Sequence, residues 1–363
     1  MRVIELADTT ILSGEDAWTK LEKLIQGGSW SRVAVLVDEH TRDLCLPALR
    51  LLIPSLDLIE INIPSGEKNK NLLTCEKIWK IMLDNQMDRK SLLLNLGGGV
   101  IGDMGGFCAS TFMRGIDFVQ IPTTLLSMVD ASVGSKLGID FRGLKNIIGL
   151  FNDPDLVMIH PEFLKTLSKG ELRSGYAEML KHLLIADAES WKKFLKADNW
   201  RDNINHDTIF ASVRIKKSFV EEDPLEQGIR KALNYGHTVG HAIESICLVH
   251  EDLPTLKHGE AIALGMIIAN IIARENGMLS KREMEEINDY ILSVYKAIKL
   301  PKRFWGNILS MVQYDKKNVA GVIKMTLLRE IGTVEVNIDV SPDEIRFALS
   351  AYNALVAANK VKK

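Results

Sequence analysis

The sequence predicts an α/β N-terminal domain with a parallel-rich sheet, followed by a mostly α-helical C-terminal domain. The chain has 363 residues, which is more than one hydrophobic core usually serves. Strand-like and helix-like segments alternate before residue 160, as in a parallel sheet covered by helices. Beyond that point helical spacing of apolar residues dominates. We therefore predict two domains, at 1–160 and 161–363.

The first domain contains short apolar or β-branched segments that are typical of strands. SLLLNL (91–96) is a continuous apolar run, as expected of a strand buried on both faces. The segment 70–87 places its apolar residues at helical spacing and predicts a helix. The remaining strands are predicted at 32–40, 56–64, 116–122 and 154–160.

The second domain is predicted to be built from long helices. AIALGMIIANIIA (261–273) is the longest apolar stretch, but it is too short to span a membrane and contains Asn270, so it predicts a buried helix. A late segment, 322–336, is predicted to be extended and to form a hairpin. Helices are predicted at 168–187, 208–222, 235–249, 258–276, 281–298 and 341–358.

The composition is that of an ordinary soluble globular protein, with 46% hydrophobic and 25% charged residues. The formal net charge of −2 gives no reason to expect nucleic acid or an anionic membrane as the main partner. The N-terminal MRVIELADTT lacks the apolar core of a signal peptide. We expect reduced thiols and a cytoplasmic protein, because the cysteines have no motif spacing: Cys45, Cys75, Cys108 and Cys247.

Six glycines lie within ten residues directly after the predicted strand at 91–96, in LNLGGGVIGDMGGFCAS (94–110). It matches G-x-G-x-x-G through Gly97, Gly99 and Gly102, a pattern whose backbone N–H groups can hold a pyrophosphate. The dinucleotide-binding pattern usually occupies the first strand–helix turn of its fold, whereas two predicted strands precede this loop. A tight turn between helix and sheet is therefore an equally supported alternative. Glu67 and Lys70 are candidates to hold ribose hydroxyls, the alternative being a solvated charged loop.

The helical half contains a possible metal site. His237 and His241 are four residues apart and therefore share a helix face. His258 opens an apolar helix, and Glu178 with Lys181 share a face further upstream. Two histidines and a carboxylate from three helices can hold Zn²⁺ with an open position, although a capped or core histidine pair would show the same spacing. Small residues flank the histidines: Gly236, Gly240 and Gly259.

Polar residues embedded in apolar, glycine-rich sequence indicate a phosphate or carboxylate site. Any one of these residues, considered alone, would be interpreted as an ordinary surface residue. The set comprises Arg114, Asp130, Lys136, Lys145, Asn146, Lys216, Arg230, Asn234, Lys316 and Lys317.

These motifs together resemble the 3-dehydroquinate synthase family, a branch of the sugar phosphate cyclases. The matching blocks run in the family's order from about 60 to 335: LGGGVIGDMGGF, RGIDFVQIPTTLLSMVDASVGSK, KNIIG, ELRSGYAEMLK, IRKALNYGHTVGHAIE, HGEAIALGM and DKK. The resemblance implies a dehydroquinate synthase-like fold with a nucleotide-binding sheet for NAD and a helical, metal-binding domain. It also implies a homodimer and the substrate 3-deoxy-D-arabino-heptulosonate 7-phosphate (DAHP).

The resemblance also implies site residues. The ligands of a Zn²⁺ or Co²⁺ ion fall on Glu178, His237 and His258, and His241 becomes a catalytic residue instead of a ligand. Substrate contacts fall on Arg114, Asp130, Lys136, Asn146, Lys181, Lys216, Arg230, Asn234 and either Lys316 or Lys317, of which we select Lys317. NAD contacts fall on Asp38, Glu67, Lys70, Gly97, Gly98, Gly99, Asp103, Thr123, Thr124, Lys136, Lys145 and Thr166.

The family's reaction comprises oxidation, phosphate elimination, reduction, ring opening and aldol closure. NAD would receive a hydride and return it, so that no net redox change occurs. Two other functions share part of this chemistry: another sugar phosphate cyclase, and a metal-dependent polyol dehydrogenase that would release NADH. The chain departs from the usual family pattern at Ser135 and Leu137, at His40 after Asp38, and at His160.

Overall fold

A computed structural model describes residues 1–6, 9–28, 30–142, 144–313 and 322–361. The chain divides into two compact units, Met1–Ser168 and Lys169–Lys363. The assignment of 1–160 to NAD binding and 161–363 to metal and substrate binding stays a prediction.

The first unit contains nine strands and five α-helices in its described residues. The strands are β1 (Arg2–Leu6), β2 (Thr9–Ser13), β3 (Val33–Asp38), β4 (Ile59–Ile63), β5 (Leu92–Gly97), β6 (Asp117–Pro122), β7 (Lys136–Phe141), β8 (Leu144–Phe151) and β9 (Leu156–Ile159). The helices are α1 (Glu15–Gly27), α2 (Glu39–Leu44), α3 (Leu46–Leu52), α4 (Leu72–Asp84) and α5 (Gly99–Thr111).

Seven of these strands form one sheet in the order β1-β2-β9-β6-β5-β3-β4. Every pairing is parallel except that between β1 and β2, which confirms the predicted parallel-rich sheet. Every residue of β5 is buried, as its continuous apolar sequence predicts. The strand order reverses between β3 and β5, and ligands bind at such switch points beyond the carboxyl ends of the strands.

The sequence prediction missed β1, β2 and the separate antiparallel hairpin of β7 and β8. That hairpin explains one departure from the family pattern. Leu137 on β7 is 7% exposed and belongs to the same hydrophobic core as Phe118 and Phe107. A leucine at this position therefore adds buried apolar surface.

The second unit is mostly helical, as predicted. Its helices are α6 (Lys169–Ala186), α7 (Ala188–Phe194), α8 (His206–Glu222), α9 (His237–Val249), α10 (His258–Glu275), α11 (Lys281–Val294), α12 (Trp305–Gln313) and α13 (Pro342–Val361). An antiparallel hairpin, β10 (Ile323–Glu330) with β11 (Thr333–Val340), confirms the extended segment expected near 322–336.

Helix α10 lies at the centre of this unit and packs against α6, α9, α11, α13 and β10. Its residues from Gly259 to Ala273 are buried except Glu260. Asn270 is fully buried among them because its amide is satisfied: Tyr235 Oη donates to Asn270 Oδ1 at 2.5 Å, and Asn270 Nδ2 donates to Asn288 Oδ1 at 3.0 Å. In the described part of the chain, no helix combines the length and apolar character needed to cross a membrane.

Candidate active site

The glycine loop lies between β5 and α5, at the carboxyl edge of the sheet. Helix α5 begins at Gly99, and the Gly97 carbonyl accepts a hydrogen bond from Thr123 N at 2.9 Å. The parallel pairing of β5 with β6 therefore brings Gly97, Gly98, Thr123 and Thr124 together at one edge. A Cβ atom on Gly98 would lie 3.1 Å from the Thr124 methyl group.

The glycines of this segment have two different explanations. A Cβ on Gly105 would lie 2.1 Å from Asn95 Oδ1, and one on Gly106 would lie 2.5 Å from Leu137. Both positions need glycine because α5 packs directly onto the sheet and β7. A Cβ on Gly99 would meet only Ala131, at 3.7 Å, and Ser127, at 4.0 Å, which are ordinary contacts. Packing therefore does not explain why residue 99 is glycine. A helix N-terminus with bare backbone is suited to binding a nucleotide phosphate.

Three other predicted NAD contacts lie after strands of the same sheet. Asp38 ends β3 and caps α2, accepting a hydrogen bond from Thr41 N at 2.8 Å. Glu67 lies in the loop after β4, 4.0 Å from Lys145 Nζ. Thr166 follows β9, and its hydroxyl donates to Phe163 O at 2.7 Å. In a parallel sheet all these segments leave the strands at the same edge.

Lys70, which is 3% exposed, connects two predicted site residues. Its Nζ lies 2.5 Å from Asp103 Oδ2 on α5 and 2.5 Å from Asn146 Oδ1 on β8. Asn146 has a left-handed backbone (φ 51), and its N–H donates to Asp140 Oδ1 at 2.8 Å. The structure thus joins a predicted substrate residue, Asn146, to the predicted NAD residues Lys70 and Asp103.

Three further predicted substrate contacts lie in the first unit. Arg114 has a left-handed backbone (φ 73) between α5 and β6. Asp130 lies in a π-helical turn after β6, and Lys136 opens β7. Lys317, the last predicted contact, lies outside the described residues.

In the second unit, Glu178 lies between two histidines. Its Oε1 is 3.5 Å from His237 Nε2 and 3.6 Å from His258 Nε2. Glu178 is fully buried on α6, while His237 and His258 are the first residues of α9 and α10. His241 contributes a third ring: one nitrogen each of His237, His241 and His258 lie within 4.8 Å of one another.

Glycines bring the three helices close enough for this convergence. Gly236 has a left-handed backbone (φ 79) that turns the chain into α9 immediately before His237. A Cβ on Gly265 would lie 2.0 Å from Gly236 O, and one on Gly259 would lie 1.9 Å from Ser174 O. Gly259 N donates to Ser174 Oγ at 3.0 Å, which fixes the start of α10 against α6.

Hydrogen bonds orient both histidine rings. His237 Nδ1 lies 3.1 Å from Tyr235 O, a pure acceptor, so that Nδ1 carries the proton. His258 Nδ1 lies 3.2 Å from Glu244 Oε2. In each ring the other nitrogen, Nε2, faces Glu178, which is the arrangement that outer hydrogen bonds give to histidine ligands of a metal.

Electrostatics keeps Glu178 charged despite its burial. Burial alone would raise the pKa of this carboxyl, but the adjacent Lys181 ammonium, followed by His237 and His258, lowers it well below its usual range. Burial and the nearby Lys181 charge hold the pKa of His237 well below its usual value. Burial also opposes protonation of His258, but the nearby Glu178 and Glu244 carboxylates raise its pKa to about 9.

The residues fit a divalent metal. Among the described residues, no donor meets either Glu178 oxygen in hydrogen-bonding geometry, although the Lys181 ammonium contacts Oε2. A buried carboxylate oxygen without a donor is costly unless a cation accounts for it. One carboxylate with two imidazole nitrogens is a donor set suited to Zn²⁺ and, by ligand type, to Co²⁺. His241 is exposed, in contrast to Glu178.

The remaining predicted substrate contacts of this unit are Lys216, Arg230 and Asn234. Lys216 is buried on α8, and Arg230 is buried in the short helix Ile229–Asn234, where its Nη1 donates to Pro224 O at 2.5 Å. Asn234 Nδ2 donates to Glu226 Oε1 at 2.7 Å. The sequence prediction missed Glu226; its place in a charged loop gave no signal, whereas its left-handed backbone (φ 57) is visible only in the structure.

Solved structures with the same fold define the class of protein. A 2-epi-5-epi-valiolone synthase from Streptomyces hygroscopicus, solved with NAD⁺ and Zn²⁺ bound, matches with a TM-score of 0.82 and 25% identity, covering 97% of this chain and 98% of that one. A 2-deoxy-scyllo-inosose synthase complexed with carbaglucose-6-phosphate, NAD⁺ and Co²⁺ matches in fold with a TM-score of 0.82 and 22% identity, over 96% and 99% of the two chains. The fold is that of the sugar phosphate cyclases.

Sequence comparisons identify the family within that class. The model of the 3-dehydroquinate synthase N-terminal region matches residues 60–174, and that of the C-terminal region matches 175–318. The 3-dehydroquinate synthase of Parabacteroides distasonis is 36% identical over 352 residues, covering 96% of this chain and 98% of the relative. That of Nostoc punctiforme is 41% identical over 301 residues, covering 81% and 82%. The chain belongs to the 3-dehydroquinate synthase family, as its motifs predict.

Proposed function

We propose that this chain is a 3-dehydroquinate synthase, which converts DAHP to 3-dehydroquinate and phosphate with NAD and a divalent metal. The observation that supports this most is the buried Glu178 carboxyl group, whose Oε1 lies 3.5 Å from His237 Nε2 and 3.6 Å from His258 Nε2. The family membership and the bare backbone at Gly99 support it further.

The chain's own residues have separate tasks in this proposal. Glu178, His237 and His258 hold the metal, while Lys181 balances the buried carboxylate charge. A metal held there would acidify substrate hydroxyls, and NAD would accept and return a hydride. His241 is exposed beside the metal-ligand rings and can exchange protons with substrate oxygens.

Anion-binding residues hold the phosphorylated substrate. In the second unit, Lys216 and Arg230 are buried cations suited to a phosphate or carboxylate group, and Asn234 offers an amide oriented by Glu226. The proposed substrate set is completed by Arg114, Asp130, Lys136, Asn146, Lys181 and Lys317. NAD contacts are proposed for Asp38, Glu67, Lys70, Gly97, Gly98, Gly99, Asp103, Thr123, Thr124, Lys136, Lys145 and Thr166.

Homodimer assembly and a cytoplasmic location belong to the same proposal. All four cysteines are buried free thiols, which fits a reducing compartment. The family resemblance supports the dimer. Light scattering that gives the mass of one chain would contradict it.

The test is phosphate release from DAHP with Zn²⁺ and substoichiometric NAD⁺, while NADH absorbance is followed in the same sample. We expect phosphate to exceed the added NAD⁺ many times over without accumulation of NADH. Phosphate released from a hexose phosphate but not from DAHP would instead indicate another cyclase, the class to which the solved structures belong. NADH accumulating with a simple polyol would indicate a dehydrogenase.

A further inference from the structure

His182 is a buried histidine that the reaction described above does not use. It lies on α6 directly after Lys181 and is fully buried. Its Nδ1 lies 2.6 Å from Ser212 Oγ on α8, and Ser212 is also buried. A short hydrogen bond between two buried side chains on different helices fixes both of them.

The same ring approaches the proposed metal ligand Glu178. His182 and Glu178 are four residues apart on α6 and share one helix face. A ring nitrogen of His182 and a carboxylate oxygen of Glu178 lie within 4.8 Å of each other. The ring and the carboxylate are therefore close neighbours in the interior of the second unit.

The chemistry of the three groups determines where the protons lie. An ionised carboxylate only accepts hydrogen bonds, whereas a hydroxyl donates one and a neutral imidazole donates one and accepts one. Glu178 is kept ionised by the adjacent Lys181. The arrangement that follows these rules has the Ser212 hydroxyl donating to His182 Nδ1, which leaves Nε2–H as the donor that the ring can offer to Glu178.

Ser212 lies on the helix that carries a proposed substrate contact. Lys216 follows Ser212 by four residues on α8, so that both lie on the same face, and Lys216 is buried. Helix α8 packs against α6. The contact between His182 and Ser212 therefore fixes the face of α8 that carries Lys216 against the face of α6 that carries Glu178.

We propose that His182 is a positioning residue that orients the Glu178 carboxylate for the metal and, through Ser212, holds Lys216 in place for the anionic substrate. The proposal rests on the function proposed above for Glu178 and Lys216. It assigns to His182 the role that outer hydrogen-bonding partners have at metal sites, where their loss costs about 10- to 100-fold in affinity.

Two amide replacements of His182 test the roles of the two ring nitrogens independently. In His182→Asn the amide lies near the position of Nδ1 and can still bond Ser212, but it does not reach Glu178. In His182→Gln the amide nitrogen reaches the position of Nε2 and can donate to Glu178. We expect Zn²⁺ affinity, measured by chelator competition, to fall about 10- to 100-fold in H182N and no more than about threefold in H182Q.

Ser212→Ala tests the second half of the proposal with a smaller change. We expect its KM for phosphorylated substrate to rise about tenfold while kcat changes little, because Lys216 loses its fixed position. Equal Zn²⁺ affinities of wild type, H182N and H182Q would overturn the role towards Glu178. An unchanged KM in S212A would overturn the role towards Lys216.

Tyr352→Phe is the matched control for loss of a buried hydrogen bond. Tyr352 Oη donates to Ile298 O at 2.8 Å, and this variant should lose stability without any change in Zn²⁺ affinity. If H182N does not fold, the S212A measurement still decides the coupling to α8. If wild type releases no phosphate from DAHP, the proposed function fails, but the order of Zn²⁺ affinities still tests His182.

Discussion

The two units use glycine near their candidate sites in different ways. In the first unit, a Cβ on Gly99 would meet no atom closer than 3.7 Å, so it would make only ordinary contacts. In the second unit, a Cβ on Gly259 would lie 1.9 Å from Ser174 O. Packing thus requires glycine at residue 259 but not at residue 99. In the proposed function, the bare backbone at Gly99 binds a nucleotide phosphate, whereas Gly259 serves the contact between α6 and α10.

Removing a proposed ligand side chain from the second unit should have the largest effect. We expect His237→Ala to abolish metal-dependent activity and to weaken Zn²⁺ binding at least about 100-fold, with the fold retained. Equilibrium dialysis and circular dichroism test this. His250→Ala, which removes a ring that contacts Phe304 instead, is the control. Full activity in H237A would remove His237 from the ligand set.

Adding one methyl group at Gly259 should disturb the close packing of α10 on α6. We expect Gly259→Ala to lower the free energy of unfolding by about 2 kcal/mol, because the Ser174 backbone cannot move away cheaply. Urea unfolding measures this loss. A variant as stable as wild type would show that the helices separate without cost.

The same methyl group at Gly99 should spare stability and impair binding. The added Cβ makes only ordinary contacts and improves helix propensity by about 0.5–1 kcal/mol. We expect Gly99→Ala to unfold at the same or higher urea concentration than wild type and to bind NAD⁺ about tenfold more weakly. Calorimetric titration that gives unchanged NAD⁺ affinity would contradict a cofactor phosphate at this position.

The smallest expected effect concerns histidine protonation. The pKa of a histidine is shifted in opposite directions in the two units. Burial lowers the pKa of His160 in the first unit, while nearby carboxylates raise the pKa of His258 in the second. A histidine whose folded pKa is lowered stabilises the fold above its unfolded pKa of about 6.5, and this contribution is lost as the pH falls towards the folded value.

We therefore expect His160→Gln to reduce the loss of stability between pH 7 and pH 5, because the variant has no half-buried imidazole to protonate. Urea unfolding of both proteins at the two pH values measures the difference. An identical pH dependence in H160Q and wild type would show that His160 titrates normally.

The strongest sequence patterns predicted the fold correctly, and the weaker ones did not. The apolar run of β5 and the long helical pattern of α10 left little choice of structure. The hairpin of β7 and β8 was missed because six of the eight residues of β8 are exposed and its sequence shows no alternation of buried and exposed positions. Exposed strands do not produce the period of two that sequence patterns rely on.

The candidate site was predictable in part. The four-residue spacing of His237 and His241 indicated a shared face, but it did not say which ring is a ligand; the family resemblance made that distinction. Glu226 and Glu244 were missed because their contacts, with Asn234 and with His258 Nδ1, depend on tertiary structure. Partners of this kind have no sequence spacing of their own.

The proposed metal ligands are spread from residue 178 to residue 258 and come from three helices. The unfolded chain therefore lacks a preformed site, and binding energy becomes folding energy. For a ligand that binds only the folded state, stabilisation reaches about 2.7 kcal/mol when its free concentration is 100 times the Kd. The free metal concentration would then determine how resistant the second unit is to proteolysis, in addition to its effect on the rate of catalysis.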